Sequence, residues 1–529
     1  MSGLDGAIIA VYLVAMIGLS VWLGRGQSSE ADYYLGGRNL PWWAVGISTM
    51  ATQTSAVSFI SIPAFVALAP GGGMTWLQYE LAVPLAMIMV MVLLIPFFRS
   101  LELVSVYEYL ELRYDRSVRL LLSGMFLVSR GLGTGVGLYA SGLVLEVCLG
   151  MPLWVTILVV GVVTIIYDTI GGMAAVVWSD VVQMVVLVGG LVVSIVIAAD
   201  DIGGFGAVLE HFPEQRWAAF GAGTGLGDGA SAPFYGYLFG GFFLYAAYYG
   251  VDQSQAQREL SAPTTGESKM SLVLNGFARF PLTALYMVLG LTLGAVYQLS
   301  PELRAAVPIE ETDKLVPQFI LLMLPEGIRA ILFAALLAAA MSSLDSALSS
   351  LSAATLEDFV SRPGKEHDPK RFMRLGKLIT VAWGVAITAF AFVAGEISGT
   401  VVEAINKVGS AFFGPILAVF VVGVLSRRAT GPGVIAGVVV GIATNLYLWL
   451  AVPSVFWMWW NLIGFAVAIA VALGASQFTP PPSDRVRERF VLGWDSIRVE
   501  ERSWLRVYAS LVLWFGLILG LIFWVHSAS

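Results

Sequence analysis

Ile47-Ser48-Thr49-Met50-Ala51-Thr52-Gln53-Thr54-Ser55-Ala56-Val57-Ser58 interrupts an apolar run long enough to cross a bilayer, and how it is read decides the fold. Five of the seven positions from Thr52 to Ser58 carry a hydroxyl or an amide. Such side chains compete with a helix for its own backbone groups. Unwound backbone at membrane depth survives only against protein or around a water-filled cavity. The stretch therefore reads as a membrane helix broken around a polar cavity. The plainer alternative is a continuous helix whose hydroxyls bond the carbonyls four residues back.

The rest of the chain fits a membrane setting. Of its 529 residues 58% are apolar and only 12% charged, with a mean hydropathy of +0.82. A soluble domain carries about 25% charged residues, so a water-covered globule is excluded. A span needs roughly 20 apolar residues. Runs of that kind lie near 4–24, 41–68, 75–98, 119–148, 152–170, 174–199, 233–256, 270–298, 325–358, 378–396, 400–425, 431–452, 455–475 and 505–526. The count is thirteen or fourteen, because Pro453 leaves 431–475 readable as two spans or a re-entrant pair; fourteen is preferred. The first run lacks the basic flank of a signal peptide and reads as a retained span.

Basic residues cluster in alternate loops: Arg25 and Arg38; Arg99, Arg113, Arg116 and Arg119; Arg258 and Lys269; Arg362 to Lys377; Arg427 and Arg428. Cytoplasmic loops hold such an excess, which puts the N-terminus outside. The loops near 200–232 and 299–324 are longer and acidic. A polar cytoplasmic linker at 476–504 precedes the last span. No segment longer than about 35 residues is free for a soluble catalytic domain. The chain also lacks H-E-x-x-H, G-x-S-x-G, a phosphate-binding loop and any Cys/His cluster, so neither an enzyme nor an ATP-driven pump is expected. Nothing in it reads as nucleic-acid binding. Its single cysteine, Cys148, allows no intrachain disulfide.

Polar residues inside spans are costly and by default mark a pathway or a site. Asp180 follows Val177-Trp178-Ser179 at the start of an apolar span; simple helix capping is its plain reading. Ser342, Ser346 and Ser349 recur at helical spacing, with Asp345 beside them, and form a hydroxyl stripe too polar for lipid. In the seventh span the pair Gly240-Gly241, followed by Tyr245, Tyr248, Tyr249 and Asp252, would let a helix open. Arg130 and Arg279 are the intramembrane cations; each either pairs with an acid or anchors a carboxylate. Two broken spans about five helices apart point to inverted repeats. Freed carbonyls with hydroxyls suit a hard cation such as Na⁺. A cation site beside a solute cavity means coupled transport. A channel remains the rival, separable by uptake against a gradient.

At these residues the chain resembles the solute:sodium symporter family, which includes sodium–glucose, proline, pantothenate and sialic acid transporters. The blocks that carry the likeness are Asp32-Tyr33-Tyr34-Leu35-Gly36-Gly37-Arg38, Trp42 to Gly46, Gly171 to Asp180, Asp252 to Arg258, Met341 to Leu348 and Gly414 to Phe420. The resemblance implies an all-α polytopic LeuT-like fold of five-plus-five inverted repeats: a first helix and loop at 1–40, repeats at 41–200 and 201–430, and peripheral helices at 431–529. It implies Na⁺-driven uptake at the cell (inner) membrane by a monomer in the lipid bilayer. The principal Na⁺ site then falls on the carbonyls of Ala51, Thr54 and Ala339 and the hydroxyls of Ser342 and Ser343. A second would use Asp180, Ser342, Asp345 and Ser346, with Asp345 standing where the family has a hydroxyl. The solute cavity maps to Gln53, Ser55, Ser58, Gln78, Arg130, Asp252, Arg279 and Asn406. Arg130 matches an arginine that grips a carboxylate, so a small organic anion is expected, with a sugar or an amino acid as the alternatives.

Overall fold

The computed structural model describes residues 3–361, 368–394, 401–492 and 501–527, without the side chains of 401–406. Arg362, Lys365, the Asn406 side chain and residues 493–500 of the linker lie outside that description. The described residues form helices and turns, with one isolated bridge between Leu226 and Val455.

Eleven described helices are long and apolar enough to cross a membrane, and the bent pair Trp42–Thr52 and Ala56–Ala67 makes a twelfth pass. One of the eleven, Leu153–Asp201, is 49 residues long. At 1.5 Å per residue it is more than twice the ~30 Å of a bilayer core. It bends at Gly172 and counts as two passes, as the runs at 152–170 and 174–199 predict. The segment from Gly236 to Glu259, broken at Asp252, completes fourteen. The 431–475 region resolves into two helices, Gly431–Ala451 and Trp459–Ser476. Their backbones meet along small residues: a Cβ on Gly437 would stand 2.5 Å from the Ala468 carbonyl oxygen. Close approach through glycine is how apolar helices associate where lipid removes the hydrophobic drive.

The polar run predicts a break, and the helix breaks there. The two halves meet at 62°. Ser55 caps the second half by accepting the Ser58 N–H at 3.2 Å, so the hydroxyls replace lost helical bonds as expected. The seventh span departs from expectation. Gly236–Gly240 is a π-helical turn and the chain stays helical through Gly241–Val251, opening instead at Asp252 (φ −75°, ψ 120°). Gly240 is needed for contact, since a Cβ there would lie 2.3 Å from the Met458 carbonyl oxygen. The opening falls on Asp252 because its side chain caps the following helix, accepting from the Ser254 N–H at 2.8 Å.

Gly172 is the hinge of the long helix. Its φ of 57° lies in the left-handed region, and a Cβ would sit 2.5 Å from the Tyr33 carbonyl oxygen. Gly172→Ala is expected to cost about 1–2 kcal/mol from backbone conformation alone, with more from the overlap. The check is the thermal unfolding midpoint in detergent; an unchanged midpoint would contradict this role for the hinge.

Candidate functional site

The break at Thr52–Ala56 faces the Ile328–Ala354 helix and the second half of Leu153–Asp201. Between them lies a pocket of about 10 Å³ lined by Ala51, Thr54, Ala339, Ser342, Gln183, Met184 and Leu187, room for about one water-sized particle. Four of the five residues expected at the principal Na⁺ site meet here. Ser343, the fifth, donates to the Ala339 carbonyl at 3.4 Å and faces the larger cavity described below. The residues around it offer the hydroxyls of Thr54 and Ser342 and the carbonyls of Ala51, which accepts the Thr54 N–H at 2.8 Å, and of Ala339; neutral hydroxyl and carbonyl oxygens are the donor kind hard monovalent cations take.

Below this pocket stands a buried polar network. Asp180 accepts from Ser48 at 2.6 Å and from the Ser342 hydroxyl. Arg258 Nη2 stands 3.3 Å from Asp180 Oδ2, both side chains fully buried, and also donates to Ser346. Its Nε donates to Ser48 at 2.7 Å. The Tyr167 hydroxyl donates to Asp345, and so does Ser346 at 3.2 Å. Asp180, Asp345 and Ser346, expected together, are therefore neighbours, but a guanidinium bridges Asp180 to Ser346. Asp180 does not simply cap a helix, since its partners come from other elements. Arg258 reads in the sequence as one more loop cation setting topology. Its burial had no signal of its own, because the break at Asp252 is what turns the Gln253–Glu259 helix inward.

The larger cavity has a volume of about 780 Å³. On its wall are Gln53, Ser55, Ser58, Arg130, Asp252 and Arg279, six of the eight expected solute residues. Arg130 Nη1 stands 3.8 Å from Asp252 Oδ2, beyond hydrogen-bond range, and its Nε has no hydrogen-bond partner among the described residues. Its guanidinium lies over the Tyr248 ring at 5.9 Å. Arg279 Nε donates to Glu80 Oε1 at 3.0 Å, and its Nη1 to the Thr54 hydroxyl at 3.2 Å, tying the cavity to the small pocket. Gln78 is not on this wall. Its amide is spent locally, donating to the Thr75 carbonyl at 3.0 Å and accepting the Gly221 N–H at 3.2 Å.

Glu80 is a wall residue that the sequence reading leaves unassigned; its sign is legible, its partner is not. Aromatic rings supply much of the rest, Trp76 and Tyr79 stacked with centroids 4.8 Å apart. The mouth is reached by residues of the two acidic loops, Ser231 and Asp313 among them. Burial pushes the Asp313 carboxyl above the usual carboxylate range, against the Ser61 hydroxyl that bonds it at 3.2 Å.

Sequence and structure comparisons fit this geometry. The Sodium:solute symporter family matches residues 33–441. The human sodium/iodide cotransporter is 28% identical over 85% of this chain and 70% of its own. The sodium/sialic acid symporter NanT of Aliivibrio fischeri is 29% identical over 88% of this chain and 92% of its own. Among solved structures, the substrate-bound outward-open state of a Na⁺-coupled sialic acid symporter superposes with a TM-score of 0.79 at 26% identity, covering 91% of this chain and 99% of that one.

Proposed function

The chain belongs to the sodium:solute symporter family, and from that premise we propose that it imports a small organic carboxylate by alternating access, in the cell membrane and with its N-terminus outside. It is a multi-pass membrane protein and a Na⁺-coupled transporter of a small solute. The observation that carries the carboxylate is Arg130, a cavity-wall cation whose partner acid stands too far off to hydrogen-bond it. A solute carboxylate offers the bidentate contact that Asp252 leaves unmade. Charge supports the same reading. On the wall the formal charges of Arg130, Arg279 and Lys407 are balanced by those of Asp252, Glu80 and Asp313, so a bound Na⁺ adds one positive charge and a monoanion closes the sum. The relatives named carry iodide and sialic acid, which are anionic solutes.

Ala51, Thr54, Ala339, Ser342 and Ser343 are the proposed Na⁺ ligands, with Asp180, Asp345 and Ser346 as a second site if Arg258 withdraws. The proposed repeats at 41–200 and 201–430 each open on a broken helix, at Thr52–Ala56 and at Asp252. The protein works as a monomer in this reading and catalyses no covalent chemistry.

In proteoliposomes with an inward Na⁺ gradient, an organic acid is expected to accumulate above its external concentration. One Na⁺ carried with one monoanion moves no net charge, so the drive is the Na⁺ gradient itself: a tenfold gradient is worth about 1.4 kcal/mol and supports up to about tenfold accumulation. Mere equilibration would mean a channel, and unchanged uptake with K⁺ in place of Na⁺ at fixed pH would remove the coupling ion. Ser342→Ala is expected to raise the Na⁺ concentration for half-maximal uptake about tenfold, the loss of one oxygen ligand at about 1–1.5 kcal/mol. An unaltered Na⁺ dependence would take Ser342 out of the site.

A further inference from the structure

Asp168 lies in the first half of the Leu153–Asp201 helix and has no part in either site above. Its side chain is fully buried, and neither carboxylate oxygen has a hydrogen-bond partner among the described residues. The hydroxyl of Thr164, one turn earlier, is buried and unpartnered too. By contrast Asp180 and Asp345 each accept at least two hydrogen bonds.

The ionisable groups in electrostatic range of Asp168 are Asp180, Asp345, Arg258 and the phenols of Tyr33, Tyr34 and Tyr167. Lys377, from the Pro369–Ala394 helix, reaches the same turn, with Nζ 3.4 Å from the Ile170 carbonyl and 5.2 Å from the Tyr33 ring centre. Three carboxylates thus share one buried guanidinium. A buried carboxylate with no donor and no counter-ion of its own neutralises itself rather than stay charged. Sodium is poorly suited to do this, because it needs several converging oxygens. Among the described residues no three acidic, histidine or cysteine side chains converge on one ion position. A proton needs one carboxylate only.

Access comes from the hinge. Asp168 is one turn before Gly171 and Gly172, where Gln27 donates to the Gly171 carbonyl at 2.6 Å. That is the face of the Arg-rich loops. The Tyr33-Tyr34 helix Glu30–Leu35 covers it, and bending at Gly172 would wet it.

We propose that Asp168 is a proton-binding site, filled and emptied from the Arg-rich face, whose proton competes with bound Na⁺. The inference rests on the Na⁺-coupled reading above. Deprotonation adds a negative charge near Asp180 and Asp345, so Na⁺ binds more tightly as pH rises; by linkage, Na⁺ binding expels the proton.

The test is Na⁺ titration of the purified full chain without solute, followed by thermal stabilisation between pH 6 and pH 8. The wild type is expected to bind Na⁺ about fivefold or more tightly at the higher pH. Asp168→Asn, a mimic of the protonated acid, is expected to bind weakly at every pH, and Asp168→Glu to keep the slope. A pH-independent wild type, or a slope retained in Asp168→Asn, overturns the proposal. Should Asp168→Asn fail to fold, proton release decides: Na⁺ added to the weakly buffered wild type must acidify the solution, and no acidification overturns it. Absence of Na⁺ binding at any pH would instead sink the transport reading itself.

Discussion

Arg130→Ala is expected to abolish measurable solute binding while Na⁺ binding persists. Removing one partner of a desolvated charge pair costs about 2–5 kcal/mol, at least about thirtyfold in affinity. The selectivity follows from placement: Arg130 faces the large cavity, whereas the small pocket is lined by Ala51, Thr54, Ala339 and Ser342. Arg130→Lys keeps the charge but not the planar fork and should fall between the two. Asp252→Asn should tighten carboxylate binding, because it removes the acid that competes for Arg130; its cap on Ser254 survives through the amide oxygen. Calorimetric titration of a panel of organic acids, sugars and amino acids, with and without Na⁺, measures all three. A sugar that binds Arg130→Ala as well as wild type would place recognition elsewhere.

The second large effect is structural. Arg258→Ala should lower the unfolding free energy by about 3–5 kcal/mol, the typical cost of leaving a buried charge without its partner. Asp180 would be left at 0% exposure with only the hydroxyls of Ser48 and Ser342. The double variant Arg258→Ala with Asp180→Asn should lose clearly less than the two single losses added, since no charge remains stranded. Thermal unfolding in detergent without Na⁺ reads both. Additive losses would mean that Arg258 and Asp180 are not energetically coupled, despite the 3.3 Å between them. Na⁺ affinity of the double variant adds a second reading, because a bridging guanidinium and a second cation compete for the same oxygens.

These effects separate what one-dimensional pattern carries from what packing adds. Five hydroxyl or amide residues in seven positions predict the break at Thr52–Ala56, since local competition for backbone hydrogen bonds needs no tertiary partner. The paired glycines at 240–241 predict a break that is absent. Glycine permits both opening and close contact, and the Met458 carbonyl selects contact. Asp252, about three turns further on, takes the opening because it can cap the next helix.

The sequence by itself determined that the chain lives in a bilayer, which stretches cross it, and that its scarce polar residues mark the site. Period, length and charge are local properties, and each position carries its own share of them. Which cation answers which anion was decided only in three dimensions. Arg279 takes Glu80, Arg258 moves from a loop tally into a bridge between Asp180 and Ser346, Gln78 turns to the Gly221 backbone, and Asp168 is left without a hydrogen-bond donor among the described residues. Pairing across 78 or 199 residues of chain depends on where bent helices bring side chains, and no local pattern encodes that.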